Sequence, residues 1–360
     1  IVINMLRKTY PAVEVQSSAQ VSDTVNNSRK MDSNDNHDEM LINGLIYSMP
    51  QSLSIRTAKS HQKNYPQRNT YSISNNSSET VIFDLNSGNS YINCFESYLK
   101  FNLKIDSFTN VVGGVAGQRG FTFGSNSVMA SFNSVKFRSR SGTELSRTEQ
   151  AGLVSKVETQ YKKSKNWIET IGAAMLYNVS VSPVSATQET VTVTIPLSEL
   201  DSFFSPLKKQ DMPPQLASGG RLELSLENLN HCIVNTEPLN TTINSISMSN
   251  IELSLSCSQL SDEAQKVLNA EASASGLEWT YSRFYTVENV LQNGQTSANI
   301  QVHKAVSQAS RAWAIVQDTT KDNSQDLDAY LSAPYDFKTV QWRLGSMYMP
   351  FQPVKDFIQT

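Results

Sequence analysis

Histidine and cysteine are the residue types in this chain best suited to bind a metal or act as a nucleophile. No two of the four histidines stand four residues apart, as two metal ligands on one helix face would. The three cysteines form no Cys-x-x-Cys pair and are odd in number, so they predict neither a zinc site nor a disulfide framework. We expect free, buried thiols in a reducing compartment, and no metal-ligating residues. These residues are His37, His61, His231, His303, Cys94, Cys232 and Cys257.

Nucleophilic catalysis needs a serine or cysteine beside a general base, and the sequence offers no such arrangement. It contains no Gly-x-Ser-x-Gly motif. Cys94 precedes Phe95 in a strand-like pattern, where a core cysteine is far commoner than a catalytic one. His231 and Cys232 are adjacent, and adjacent residues of a strand point to opposite faces, which argues against a catalytic pair. We therefore predict no catalytic residue and no enzymatic activity.

Carboxylates are the remaining candidates for acid and base. Glu223 and Glu227 would share one face of a strand about 13 Å apart, too far for a glycosidase pair unless the strand bends. A solvated strand face is the favoured interpretation. Asp201 and Asp211 are the other two carboxylates of this region that could take such a role.

Two motifs resemble ion or phosphate sites but lack the residues that such sites need. The acidic run from Asp32 to Glu39 would need glycine sixth and glutamate twelfth to be an EF-hand loop, and these positions hold His37 and Asn43. The glycine-rich stretch 111–124 matches neither Gly-x-Gly-x-x-Gly nor the P-loop spacing. We predict no cofactor-binding residues and no cofactor.

Tryptophans could form a stacking platform for sugars. The four are spread along the chain and three fall in strand patterns, so packing in a core or an interface is the favoured interpretation. They are Trp167, Trp279, Trp313 and Trp342.

Composition narrows the function classes further. The 360 residues include 30 Lys and Arg against 33 Asp and Glu, for a net charge of −3. That balance argues against a protein whose main task is to neutralise nucleic-acid phosphates. No apolar run approaches 18 residues, so we expect no membrane span, and the first residues lack the apolar stretch of a signal peptide.

Alternating apolar residues are the main structural signal. Leu99, Phe101, Leu103 and Ile105 alternate with polar residues, as in a strand with one face in a core. A second apolar run, 81–85, is separated from them by the turn-forming residues 86–90. Similar patterns over 127–138, 191–195, 222–226 and 246–255, the last with a bulge near 249–250, give seven or eight strands between residues 71 and 257. These are enough for a complete β-sandwich.

Two helices are predicted beside the strands. The capping-box pattern of residues 146–149 indicates a helix start, and Lys162, Lys163 and Lys165 suit its C-terminus. Residues 261–274 begin with Ser261, a good N-cap, and favour a second helix. Strand signals then resume over 279–290, 296–302, 311–317 and 339–349, with a hairpin turn at Asn293-Gly294 and Pro350 and Pro353 ending the last strand.

Four passages of the chain resemble one protein family. VIFDLNSGNSYINCFESYLKFNLKI (81–105) looks like its opening pair of strands, and FGSNSVMASFNSVKFRSRSGTEL (123–145) like the next strand. TIPLSELDSFFSPLKKQDMPP (194–214) with GRLELSLENLN (220–230) is similar to the end of the first domain, and YDFKTVQWRLGSMYMPFQPV (335–354) to a part of the second. In this order they resemble the double-jelly-roll major capsid proteins of double-stranded DNA viruses, especially the polinton, virophage and adintovirus-like group. Leu344-Gly345 stands where the family has Asn-Gly.

The resemblance covers residues 71–360 and implies an all-β fold of two jelly rolls with a few short helices. We expect a flexible polar N-terminal arm at 1–70, a complete first jelly roll at 71–260, a helical connector at 261–276, and the N-terminal part of a second roll at 277–360. A full second roll would need further strands beyond Thr360, so the chain looks cut short or its second domain reduced.

The implied function is that of a structural major capsid protein. We expect homotrimers that form pseudo-hexagonal capsomers in an icosahedral virion shell, assembled in the host cytoplasm or nucleus. The partners would be the chain itself, neighbouring capsomers, and penton and minor capsid proteins, with no specific nucleic-acid site. The alternative is a single jelly-roll spike or penton, or a carbohydrate- or receptor-binding module.

Overall fold

The structure is a computed structural model, which describes residues 2–6, 56–75, 79–110, 120–181, 190–236, 241–290, 299–301, 309–317, 321, 324–330, 336–344 and 346–358. Several sequence features lie outside these residues. They are the acidic run 32–39, most of the glycine-rich stretch, the Asn293-Gly294 turn, and His303.

The described chain is built mainly from strands, with short helices between them. The strands are β1 (Val2–Leu6), β2 (Arg56–Asn64), β3 (Thr70–Ser74), β4 (Thr80–Asp84), β5 (Tyr91–Asn110), β6 (Phe121–Phe123), β7 (Phe132–Arg138), β8 (Glu144–Glu149), β9 (Val191–Pro196), β10 (Arg221–Leu226), β11 (Ile233–Asn235), β12 (Thr241–Leu260), β13 (Ser282–Thr286), β14 (Ala309–Trp313), β15 (Asp336–Leu344) and β16 (Met347–Ile358). The helices are α1 (Ala151–Lys162), α2 (Lys165–Trp167), α3 (Leu197–Leu200), α4 (Pro214–Ala217), α5 (Leu229–Cys232) and α6 (Asp262–Ser275).

Two antiparallel sheets form the main body. The first has the order β2–β12–β5–β9, and β3 also pairs with β12. The long strand β12 serves both neighbours, because β3 pairs with Ser245–Ser249 and β2 with Leu253–Leu260. The second sheet has the order β4–β10–β7–β8.

The chain passes between the two sheets in a defined order. Eight strands build the roll: β3, β4, β5, β7, β8, β9, β10 and β12. The first of them, β3, pairs with the last, β12, and the second, β4, pairs with the seventh, β10. In the first sheet β5 lies next to β12, and β9 forms the edge. In the second sheet β7 lies next to β10, and β8 forms the edge. Eight strands wrapped in this way are a jelly roll. The predicted jelly-roll sandwich is therefore confirmed.

Alternation of side chains places the core between the sheets. Leu99, Phe101, Leu103 and Ile105 of β5 are buried, while the residues between them are partly or fully exposed. Phe101 meets Phe132 of the opposite sheet edge-to-face, with ring centroids 6.3 Å apart. The bulge predicted in β12 is present, since its pairing with β5 gains one residue between Ser249 and Glu252.

The predicted start of the first helix is wrong. Residues 146–149 belong to strand β8, which pairs with β7, and α1 begins at Ala151 after Gln150, whose φ is 52°. The helix ends at Lys162, as predicted. The second helix, α6, begins as predicted, since the Ser261 hydroxyl accepts a hydrogen bond from the Ala264 backbone N–H at 3.3 Å.

The strands beyond α6 form two further antiparallel groups. Strand β1 lies between β13 and β14. Residues 1–70, for which we predicted a polar arm, therefore contain two strands, β1 and β2. The predicted single strand 339–349 is instead a hairpin of β15 and β16. Pro350 and Pro353 do not end it but lie inside β16, where the register shifts and a missing N–H costs no ladder bond. None of the helices among the described residues has the length and apolar character needed to cross a membrane.

Candidate functional site

The histidines and cysteines that could do chemistry are distributed through the fold. His61 is exposed on β2, and His231 is half-buried on α5. Within the described part of the chain, His, Cys, Asp and Glu side chains nowhere form a group of three that could hold a metal ion.

The three thiols are buried, as the sequence predicts. Burial raises the pKa of Cys94 and of Cys232 far above the ordinary thiol value, and a nearby carboxylate, Asp211 or Glu227 respectively, raises each further. His231 and Cys232 lie on the helix α5 and not on a strand, so the predicted reason against a catalytic pair is wrong. The turn forms here because the Asn228 side chain accepts from the N–H of residue 230 and caps it.

The two glutamates of the β10 region have separate partners. Glu223 forms an ion pair with Arg138, with 3.4 Å between its carboxylate and the guanidinium Nε. Glu227 lies 3.5 Å from Nδ1 of His231 and accepts from the backbone N–H of Asn228 at 2.8 Å. These contacts are those of ordinary sheet and turn residues.

Asp201 is buried in the first roll and its carboxylate is fully engaged in hydrogen bonds. Its carboxylate accepts hydrogen bonds from the hydroxyls of Ser146 at 2.7 Å and Thr148 at 2.8 Å, and from the backbone N–H of Phe203 at 2.8 Å. Burial raises the pKa of Asp201, while these hydrogen bonds and the charge of Arg283 oppose the rise. The carboxylate thereby ties strand β8 to the turn at 202–204, which is a structural task.

The tryptophans have different neighbours. The ring of Trp279 is buried and packs 5.8 Å from that of Phe203. Trp313 stacks on Phe284, and Trp167 meets Tyr177 edge-to-face. Packing was the favoured interpretation for these rings, and for Trp279 the structure shows it directly.

A seam joins the first roll to the residues after α6. We define it as the contact of residues 279–286 with strand β8 and the turn 202–204. The indole N–H of Trp279 donates to the carbonyl of Phe203 at 3.1 Å, and the Tyr281 hydroxyl donates to the carbonyl of Leu145. Arg283 pairs with Glu144 at 3.1 Å. Apolar burial with directional bonds on both sides makes this a specific contact.

An open groove of about 470 Å³ lies where the residues between β2 and β3 meet β12. It is lined by Tyr65, Pro66, Asn69, Asn250 and Glu252. Tyr65 is 64% exposed, and Glu252 pairs with Lys63 at 3.0 Å. An exposed ring beside amide and carboxylate groups has the composition of a surface that stacks and hydrogen-bonds a polar ligand.

No family model and no curated protein matches this chain. Several solved structures are similar to parts of it, and two of them are described here. One is a chain of the 3.5 Å cryo-EM structure of the Sputnik virophage, with a TM-score of 0.39 and 9% identity over 69% of this chain and 53% of that chain. The other is the Faustovirus major capsid protein, with a TM-score of 0.38 and 11% identity over 63% of this chain and 57% of that chain.

This chain spans little more than half the length of either match. The assignment of the jelly roll rests on the strand order described above.

Proposed function

We propose that this chain is a structural protein of a virion, a major capsid protein that self-assembles into an icosahedral shell. Jelly rolls are found in viral capsid proteins and in lectins, among others. The observation that favours the capsid is that the eighth strand of the roll ends at Leu260 and is followed by a helix and further antiparallel strands, of which the segment 279–286 contacts the roll. Further strands after a complete roll are what the resemblance to double-jelly-roll proteins implies.

The finer features of the proposal follow from that resemblance. Residues 277–360 would begin a second roll, with 261–276 as connector and 1–70 as an arm that docks on a neighbour. Homotrimers would form pseudo-hexagonal capsomers, with penton and minor capsid proteins as further partners. The role is mechanical, so we propose no catalytic, cofactor-binding or metal-ligating residue and no enzymatic activity.

The proposal is tested by the mass and shape of the purified protein. Mass photometry should give a species of three chains of 40.0 kDa each, and negative-stain microscopy should show pseudo-hexagonal units, or shells at high protein concentration. A protein that stays monomeric over the whole concentration range would overturn the proposal.

The groove at Tyr65 favours a second candidate, a carbohydrate-binding module. A glycan array would be probed with the wild type, with Tyr65→Ala, and with Tyr161→Ala as the matched control, because both tyrosines are 64% exposed. Binding that is lost only with Tyr65→Ala supports this function. Binding that is absent from the wild type, or unaffected by Tyr65→Ala, rules out the groove.

A further inference from the structure

A short segment from beyond β14 is buried against the first roll. This docking segment, residues 324–330 with the sequence SQDLDAY, places Tyr330 at 1% exposure and Ala329 at 2%. Its burial does not follow hydrophobicity, because Gln325 is 6% exposed while Leu327 is 51% exposed. A contact made only to bury apolar surface would give the opposite order. The segment is therefore held by something more specific.

The Tyr330 ring fills a slot walled by two glycines, and any larger residue at those positions would clash with the ring. A Cβ atom on Gly124 would lie 2.7 Å from Cδ2 of Tyr330, and one on Gly152 would lie 2.9 Å from its Cζ. The His231 ring packs 4.7 Å from the Tyr330 ring, measured between centroids, and the phenol hydroxyl donates to the Ala130 carbonyl at 3.4 Å. The two glycines thus give the ring its place in the first roll.

Gln325 is bound through every polar group of its side chain. Its Nε2 donates to the Ile243 carbonyl at 2.6 Å and to Oδ1 of Asn230 at 2.8 Å, while its Oε1 accepts from the Ile243 N–H at 3.1 Å. Its own carbonyl accepts from the Asn235 N–H at 2.6 Å. Such a set recognises an amide side chain and would leave buried donors and acceptors without partners if that side chain were apolar.

The rest of the segment is fixed from both sides. Asp328 Oδ1 accepts from the N–H of Tyr330 at 2.9 Å and from the N–H of Ser125 at 3.4 Å. The Lys156 ammonium, on α1, donates to the Tyr330 carbonyl. Gln317 Nε2 donates to the Ala329 carbonyl at 3.0 Å.

We propose that the first roll carries a peptide-recognition slot for residues 324–330, which docks the region after α6 onto the roll at a second point, separate from the seam. Gln325 and Tyr330 are the residues recognised, and Gly124 and Gly152 shape the slot. This proposal concerns the contact within one chain and does not depend on the capsid role. Two separate points of attachment fix the orientation of the region after α6 relative to the roll, whereas a single contact would let that region rotate.

The test is amide hydrogen exchange in the full chain, because two backbone N–H groups of the first roll point at Gln325. The amides of Asn235 and Ile243 should be protected in the wild type and should exchange at least about tenfold faster in Gln325→Ala. The amide of Leu253, in the middle of β12, is the internal reference and should be unchanged. Leu327→Ala is the matched control within the segment and should leave all three as in the wild type.

A second pair of variants tests the slot itself. The three atoms nearest to a Cβ at Gly124 belong to Tyr330 and Asp328, so Gly124→Ala should also expose the amides of Asn235 and Ile243. In the double variant Gly124→Ala/Tyr330→Ala the closest contact, with the Tyr330 ring, is gone and only the 3.1 Å contact with Asp328 Oδ1 is left. Exchange should then be close to that of Tyr330→Ala alone.

Two results would overturn the proposal. One is equal exchange in wild type and Gln325→Ala. The other is acceleration of Leu253 together with the two reporter amides in Gln325→Ala, which would mean general loosening of the roll and not undocking of the segment. If Gly124→Ala does not fold, Gln325→Ala and Leu327→Ala decide alone, since both change only the segment.

Discussion

Replacement of Phe203 by alanine should be among the most damaging single changes in this chain. The side chain is fully buried, and its ring lies 4.9 Å from the rings of Phe137 and Tyr281, 5.4 Å from Phe204 and 5.8 Å from Trp279, centroid to centroid. Truncation of a core phenylalanine costs about 3–5 kcal/mol, and each aromatic pair adds about 0.5–1.5 kcal/mol. The two terms overlap, so we expect the free energy of unfolding to fall by about 4–5 kcal/mol.

The change is measured by urea denaturation followed by tryptophan fluorescence, with thermal unfolding beside it. For a domain of this size the melting temperature should fall by roughly 8–20 °C. Phe95→Ala is the matched control, because Phe95 is 47% exposed on the same roll and should change stability by less than about 0.5 kcal/mol. A loss below about 1 kcal/mol for Phe203→Ala, or one equal to that of the control, would refute the packing of the seam as described.

Three further predictions test polar and capping groups. Because burial raises the pKa of Asp201, the stability it contributes is greatest below its unfolded pKa and is lost as the pH rises through the raised value. The stability of the wild type relative to Asp201→Asn, from urea titrations at several pH values, should therefore grow as the pH falls towards about 4, and a flat or opposite trend contradicts this. Cys94 and Cys232 should react with a thiol reagent at pH 8 only after urea is added, because burial keeps both protonated; rapid labelling of the native protein would disprove it. Ser261→Ala should cost about 1 kcal/mol through loss of the α6 cap, and an equal loss in the exposed Ser273→Ala would contradict that cause.

The strands could be predicted wherever one face of a sheet is apolar. Leu99 and Phe101 on β5, and Leu222 and Leu224 on β10, are buried in alternation with polar neighbours. Periodicity of two reports directly on that burial, so the jelly roll was accessible from the sequence. Ser261 predicted the start of α6 for a similarly local reason, since a cap acts on the next three residues.

Strand β8 could not be predicted, because its buried face is polar. Ser146 and Thr148 are buried there and donate to Asp201, which lies more than 50 residues further along the chain. Without that partner in view, Ser146 and Glu149 match a capping box, and the pattern predicts a helix start. The helix prediction fails because the hydrogen bonds that hold this strand join residues far apart in the sequence, and a short stretch of sequence does not contain both partners.

Apolar and polar burial contribute differently to this fold. An apolar stripe determines which face of an element is buried, but many partners of similar shape would satisfy it. Asp201 and Gln325 accept or donate in fixed directions to strands far away in the sequence, so each is satisfied only by a strand that presents matching groups in one register. Both sit where separate parts of the chain join, at the seam and at the slot. Residues at such junctions cannot be predicted from sequence patterns, because their hydrogen-bond partners are distant in the sequence. The same distant partners make their contacts specific.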